Sequence, residues 1–448
     1  MEQKEKKDYQ EFKKDLLQIA LPVTFQCLLQ SSFSVVDQIM TGQLGSVSIA
    51  AIGLSGKFIS LLTVMIQAIS AVAGIIIAQA IGKNNYKEAG KGLYSNLFLA
   101  LILAFAFFIT SVIFPQNIMS MYSTDEATIR VAASYLRIYA FSFFPMTLSS
   151  LLSAYLRCVG AAKIPLYSGI ATAIFNTVLN YLLIFGKFGF PKLEVEGAAW
   201  ASMTAQFAGL VIFAFYFLIR RNAQRLPFSI YMKKTAIKNY MLILCPMLIC
   251  EFLWVLGENV YGYIYGHMGT KDCAAMTLIN PIVSLMIGAL SGVSQAAGIM
   301  IGKLLGAGEE EKAYITGKKL IKTGLIGSLI LSALLLILNP LYVRIFEVEE
   351  DVRMMTKMIL IVFAIISPVK VQNMIIGGGI LRSGGKTRYV MVIDIIGTWL
   401  FGVPMGFLAA FVFNLPIAGV YFALSLEELI RLGISIKVFR KKGWMQQL

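Results

Sequence analysis

About twelve apolar stretches, each long enough for a bilayer-spanning helix, follow one another along this sequence, separated by charged or turn-rich breaks. Their approximate limits are 16–41, 48–80, 93–114, 128–154, 165–185, 197–219, 240–266, 273–305, 317–338, 353–380, 389–412 and 416–437. A spanning helix needs about 20 apolar residues, and a chain in hydrocarbon must satisfy its backbone polar groups internally. Twelve such segments and their connections use most of the 448 residues, so no sizeable soluble domain is expected. Only 14% of the residues are charged, against about 25% in soluble domains. The bilayer is the solvent this chain suits, and the expected fold class is an all-α membrane protein.

The net charge of +15 is distributed as a membrane protein would distribute it. Basic residues cluster in alternate breaks: Lys4 to Lys14, Lys83 to Lys91, Arg157 to Lys163, Arg220 to Lys238, Lys303 to Lys322, Arg382 to Arg388 and Lys437 to Lys442. The intervening breaks are poor in Lys and Arg, and one is acidic (Glu347, Glu349, Glu350, Asp351). This is the positive-inside pattern, and it predicts a multi-pass protein of the cell membrane with both termini in the cytoplasm. A nucleic-acid footprint would gather its bases on one soluble face, so no nucleic-acid partner is expected. No small-residue cleavage site follows the first apolar run, which argues against a removable leader. Tyr9, Phe12, Leu16 and Leu17 space apolar groups at helical intervals, which predicts an interfacial helix over 9–17 ahead of the first span.

The chain repeats itself. A shift of 224 residues lays Pro22 on Pro246, Gly45 on Gly269, and Ala50-Ala51 on Ala274-Ala275. The same shift lays Gly74, Ala78 and Gly82 on Gly298, Gly302 and Gly306. A shift of 225 lays Leu156-Arg157 on Leu381-Arg382 and Gly160 on Gly385. These residue types make kinks, tight helix crossings and loop turns, so the pattern reads as duplication of a six-helix unit. Six is even, so both copies enter the membrane alike and are related by a pseudo-twofold axis along the membrane normal. The expected organisation is an N-terminal lobe over 1–222, a cytoplasmic linker over 223–238 and a C-terminal lobe over 239–448. Two such lobes suit alternating access. The stripes Gly74/Ala78/Gly82 and Gly298/Gly302/Gly306 have the small-residue spacing that lets helix backbones approach closely.

Ionisable residues inside spans cost about 2.5–3.5 kcal/mol each on insertion scales and are functional candidates by default. Asp37 leads them, with Asn176 and Asn180 four apart on one face of the fifth span. Together they offer oxygen ligands for a hard cation, or a carboxylate that exchanges a proton; a buried Asp bonded to amides for packing is the structural alternative. Glu251 and Glu258 are seven apart on the seventh span and share a face. They are substrate-cavity candidates, as are Asp394 and its neighbours Met391 and Trp399, whose side chains suit an adaptable pocket. Glu427 and Glu428 lie in the last span, and Arg137, Lys57, Lys357 and Lys370 fall in or near spans as partners or snorkelling groups.

Enzyme signals are weak. The run Gly378 to Thr387 resembles a phosphate loop, but the glycine it requires at 380 is Ile380, and no strand precedes it. The single histidine, His267, excludes a His-based zinc site. The five cysteines, Cys27, Cys158, Cys245, Cys250 and Cys273, form no Cys-x-x-Cys pair and read as small apolar residues. No enzyme, cofactor or resident metal is expected, and transport energy should come from an ion gradient.

The runs Val36-Asp37-Gln38-Ile39-Met40-Thr41-Gly42 with Leu44-Gly45 and Ala50-Ala51, Leu156-Arg157-Cys158-Val159-Gly160, Asn176-Thr177-Val178-Leu179-Asn180-Tyr181, Gly197-Ala198-Ala199-Trp200-Ala201-Ser202 and Ile380-Leu381-Arg382-Ser383-Gly384-Gly385 stand out together. In them the chain resembles the multidrug and toxic compound extrusion (MATE) family, its prokaryotic DinF-like branch in particular. The resemblance covers nearly the whole chain. It implies a twelve-helix antiporter that exports cationic, amphipathic small molecules in exchange for inward Na+ or H+, working as a monomer in the lipid bilayer. It also implies that Asp37 is the main coupling residue and that Ser202 supplies a hydroxyl to the cation site. Some relatives carry Asn-x-x-x-Asp on the fifth helix; Asn176 matches its first position, but Asn180 stands at the second, one negative charge fewer. A lipid-linked glycan flippase of the same superfamily is the alternative, against which the mainly acidic mid-membrane charge counts.

Overall fold

The computed structural model describes residues 2–219, 226–231, 234–346 and 348–448. Arg220, Glu347 and parts of the 223–238 linker lie outside the described residues. Twelve long helices carry the fold: α1 Glu2–Gly42, α2 Ser46–Gly82, α3 Tyr86–Ile113, α4 Glu126–Cys158, α5 Lys163–Phe185, α6 Glu194–Ile219, α7 Lys234–Met268, α8 Thr270–Gly306, α9 Glu310–Tyr342, α10 Glu350–Leu381, α11 Thr387–Val412 and α12 Ile417–Arg440. Among the described residues, eleven of these are long and apolar enough to cross a membrane. The exception is α12, whose middle carries Glu427, Glu428 and Arg431.

The first helix corrects one expectation. No separate interfacial helix precedes the first span; α1 runs unbroken through Pro22. Phe12, Leu16, Ile19, Ala20 and Val23 form a buried stripe at helical spacing, and the Lys319 ammonium sits over the Phe12 ring. Of the face that predicted a membrane-surface helix, Phe12 and Leu16 are buried, Leu17 is exposed and the Tyr9 side chain lies outside the described residues; further along α1, Thr24 donates to the Ala289 carbonyl of α8 at 2.9 Å.

The chain divides into two compact units. One comprises Phe25–Ile77 and Asn85–Lys233. Here α5 and α6 lie almost backbone to backbone. A Cβ on Gly197 would sit 2.7 Å from the Leu183 carbonyl oxygen, and one on Gly209 would sit 2.2 Å from Thr172 Oγ1. Ser168 donates across the same seam to Gly209 O at 2.8 Å. Small residues allow this approach where no hydrophobic drive separates helix from lipid. Residues 226–231 dock on α3: Tyr231 N–H donates to Ser95 Oγ at 2.9 Å, and Tyr94 packs on Phe228.

The other unit comprises Met1–Thr24, Ala78–Asn84 and Lys234–Leu448. Its core joins Ile279, Ile359, Leu360, Phe363 and Ile417, with a second cluster at Ile264, Val420 and Leu424. Two of its helices are partly wound as π-helix, over Met374–Leu381 in α10 and over Ile395–Gly402 and Leu408–Val412 in α11. Such wide turns are rare and concentrate at functional sites. In α10 the widening accompanies Gly379, where a Cβ would meet Ser294 O at 2.6 Å, and Ser294 Oγ donates to Met374 O at 2.6 Å. In α11, Gly397 leaves space that the Arg431 side chain fills, and Gly402 leaves space filled by Glu427 and the Tyr261 hydroxyl.

The repeat-matched glycines Gly160 and Gly385 have φ of 82° and 74°. Both end a helix in the left-handed region that glycine tolerates best, so the duplication preserves a turn that backbone sterics require.

Candidate functional site

Two polar constellations lie among the long helices, one in each unit. The first centres on Asp37, in the second half of α1. Asn180, fully buried on α5, donates from Nδ2 to Asp37 Oδ1 at 2.5 Å and to Asn176 Oδ1 at 3.2 Å. Asn176 donates in turn to Ser202 Oγ on α6 at 3.1 Å. The four residues singled out in the sequence thus form one hydrogen-bonded chain across three helices. The turn of α1 that carries Asp37 is pinned by Thr41, whose hydroxyl donates to the Asp37 carbonyl at 2.9 Å. Tyr135 and Tyr139 of α4, stacked at 5.7 Å, face the same carboxylate, and Tyr135 approaches Ser202.

Two features bear on what this site could hold. Among the described residues, Asp37 is met by an amide and not by a base. Asn180 Oδ1 is buried with no hydrogen-bond partner, and a buried unpaired acceptor is costly unless something fills its place. Carboxylate, amide and hydroxyl oxygens are the ligand types of a hard cation, so the residues present fit a small cation as transported cargo. They fit a proton on Asp37 equally well.

The second constellation lies in the unit that contains α7 to α12. A cavity of about 320 Å³ is lined by aromatic side chains, among them Trp254, Tyr261, Tyr265 and Tyr421, and by Glu258, Glu427, Glu428, Lys370 and Arg431. Glu258 is exposed to it from α7. Tyr261 donates to Glu427 Oε2 at 2.5 Å, and Asn373 donates to Glu428 Oε2 at 2.8 Å. Lys370 lies 3.9 Å from Glu428. Arg431 pairs with Asp394 and lies 3.8 Å from both Glu427 and Glu428.

The five cavity candidates do not share one cavity. Glu258 lines the large one, while Glu251, two turns earlier, is paired with Arg382 at 3.1 Å. Asp394, Met391 and Trp399 line a small adjoining cleft with Cys250, whose thiol donates to Asp394 Oδ2 at 2.7 Å. Met391, Asp394 and Trp399 are therefore neighbours, but Asp394 is already occupied by Arg431 and Cys250. Arg431 is the residue that sequence reasoning missed. The signal was present: an arginine three and four residues after Glu428 and Glu427, with Gly397 and Gly402 on the facing helix.

The MatE family model matches residues 22–182 and again residues 246–408. The chain belongs to the multidrug and toxic compound extrusion (MATE) family. The two matches begin at Pro22 and Pro246, the residues that the internal shift superposes. Among MATE relatives, the chain is 25% identical over 454 residues to the probable multidrug resistance protein NorM of Thermotoga maritima, covering 98% of this chain and 94% of that one. It is 24% identical over 439 residues to the uncharacterized transporter YisQ of Bacillus subtilis, covering 96% and 95%. A crystal structure of a MATE protein in complex with MaL6 superposes with a TM-score of 0.88 at 18% identity, covering 96% of each chain. The protein is thus a multi-pass membrane transporter of two lobes.

Proposed function

We propose that this MATE transporter is a secondary active antiporter that exports cationic or amphipathic small molecules in exchange for inward Na+ or H+. The observation that carries the reading is the Asp37 site. A carboxylate placed in a span, held by the Asn180 amide rather than neutralised by a base, and set beside an unpartnered buried carbonyl oxygen is poised to take up a cation and release it. Asp37 is the coupling residue in this reading; Asn180, Asn176 and Ser202 orient it and complete its ligand shell. Relatives named as multidrug resistance proteins support the substrate class.

The 320 Å³ cavity is the proposed substrate chamber. Its aromatic walls suit an amphipathic body, and its three carboxylates outnumber its two bases. Glu258 is the carboxylate placed to meet the substrate's positive centre. The same excess of negative charge disfavours an anionic lipid-linked glycan.

The test is dye efflux from proteoliposomes under an imposed Na+ gradient or an imposed pH gradient, for the parent protein and for Asp37→Asn. Efflux driven by one gradient and lost in the variant, with unchanged membrane insertion, is expected. Full gradient-driven efflux by Asp37→Asn would remove this residue from the mechanism.

A further inference from the structure

At the membrane end that carries the basic loops, the last turn of α2 meets the last turn of α8, and a short stretch of chain crosses both. Trp444 is fully buried; its indole N–H donates to the Phe439 carbonyl at 3.1 Å, and its ring stacks on Phe439. That anchors the stretch beyond α12. Lys386 donates to Gly443 O at 2.6 Å, and a Cβ on Gly384 would meet Trp444 O at 2.0 Å, so the α10–α11 turn is shaped to this backbone. Beyond the anchor, the chain turns to the helix ends. Gln447 Nε2 donates to Gly306 O of α8 at 3.1 Å. The N–H of Leu448 donates to Gln79 Oε1 of α2 at 2.8 Å, Gln79 Nε2 donates to Gln446 O at 3.1 Å and to Ser383 O at 2.7 Å, and Lys83 donates to Leu448 O.

Gln79 is the centre of this arrangement. It is 1% exposed, and both ends of its amide are committed to backbone groups outside its own helix. A buried amide of this kind fixes two segments only while its partners stay in place. Gly306 and Ser383 carry carbonyls at helix ends, where no intrahelical partner exists; the strap supplies the missing bond at Gly306 through Gln447, and Gln79 supplies the one at Ser383. The crossing beneath it is tight: a Cβ on Gly82 would lie 2.0 Å from Lys303 O, and one on Gly306 2.0 Å from Gln79 O.

We propose that the segment Met445–Leu448, anchored by Trp444, is a strap that clamps the ends of α2 and α8 together through Gln79 and Gly306, and that its release is a step of the transport cycle. The bonds that Gln79 and Gln447 make to backbone are neutral and suit a reversible clasp, since each contributes little net stability and the freed groups pass to water; the ammonium groups of Lys83 and Lys386 add two charge-assisted bonds. The second half of the proposal rests on the alternating-access reading above; the clamp itself does not.

Hydrogen exchange of the full chain in lipid nanodiscs, read by mass spectrometry, tests the clamp in Gln447→Ala and Gln79→Leu. Gln447→Ala is expected to speed exchange at 79–84 and 302–306 by about tenfold, the equivalent of about one net hydrogen bond, and Gln79→Leu by more. Exchange over 163–185 should not change. Unchanged exchange at both helix ends, or an equal rise over 163–185 that marks general loosening, overturns the clamp. Efflux by the same variants tests the cycle step. Turnover altered at least about threefold relative to the parent is expected, since less than one net hydrogen bond changes a rate that much. Parent-like turnover with loosened helix ends overturns release as a step. If the parent shows no gradient-driven efflux, the antiport reading fails and the cycle step with it, while exchange still decides the clamp.

Discussion

Gly82 and Gly306 occupy matching positions of the two repeats, and each packs on the residue that precedes the other by three. Gly82 faces the carbonyl of Lys303, and Gly306 faces the carbonyl of Gln79. Gln79 and Lys303 are themselves matched by the 224-residue shift. The crossing of α2 and α8 is thus self-complementary: the same pair of repeat-matched positions meets twice, once from each helix.

That geometry separates members of one stripe that look alike in sequence. Gly306→Ala would drive a methyl group into a backbone carbonyl, so it should destabilise the protein by about 1–3 kcal/mol, the ordinary cost of overpacking, or more. Gly82→Ala should behave the same way. Gly74→Ala meets nothing within 4 Å and should be neutral or slightly stabilising, because alanine is the better helix former. Thermal unfolding of the three purified variants in one detergent checks the contrast; equal midpoints would mean that the crossing gives way.

At the other polar centre, Asn180→Leu keeps the volume and removes both donated hydrogen bonds. Asp37 and Asn176 would each lose a partner inside a span, at about 1–3 kcal/mol for each group left unpaired. Gradient-driven efflux should fall to background with the protein still inserted. Ser202→Ala removes only the far end of the chain and should cost about 0.5–1.5 kcal/mol, leaving efflux lowered but measurable. Efflux assays on both variants, normalised to protein in the vesicle, check the order.

What could be read in advance follows from what each feature depends on. Spans were legible because hydropathy is local: 197–219 became Glu194–Ile219, and 165–185 became Lys163–Phe185. The Asp37, Asn176 and Asn180 set was legible because three polar groups in hydrocarbon have few reasons to exist apart. The split between Glu251 and Glu258 was not, since seven residues return to the same face while the partners waiting there, Arg382 and an open cavity, are set by other helices. Arg431 was hidden for a similar reason. It packs where Gly397, in a wide turn of α11, leaves it space, and no local pattern announces a π-turn.

The Arg431 network yields a cycle rather than a single substitution. Arg431 and Asp394 are both mostly buried, at 15% and 16% side-chain exposure. Arg431→Met should cost about 3–5 kcal/mol, because removing one partner leaves buried charge uncompensated. Asp394→Leu alone should cost less, since Glu427 and Glu428 remain near Arg431. The double variant should recover part of the Arg431→Met loss, with a coupling of about 0.5–3 kcal/mol as found for contacting residues. Unfolding of the four proteins gives the coupling directly, and strict additivity would show that the pair does not act as a unit.

The connection between the repeats offers a last test, at Gly90 on α3. A Cβ there would lie 2.2 Å from the carbonyl oxygen of Pro227, so Gly90→Ala must push residues 226–231 off the helix. Tyr231 would then lose its bonds to Ser95 Oγ and Glu88 Oε1, both 2.9 Å long. The neutral bond to Ser95 is worth about 0.5–1.5 kcal/mol net and the one to the Glu88 carboxylate about 1.5–3 kcal/mol, and the Tyr94–Phe228 contact should loosen with them. Because the clash is confined to the surface of one helix end, the spans should keep their stability while the connection becomes accessible. Limited proteolysis in vesicles should therefore cut Gly90→Ala between α6 and α7 several-fold faster than the parent. Equal cleavage rates would mean that the docked connection contributes nothing to its own protection.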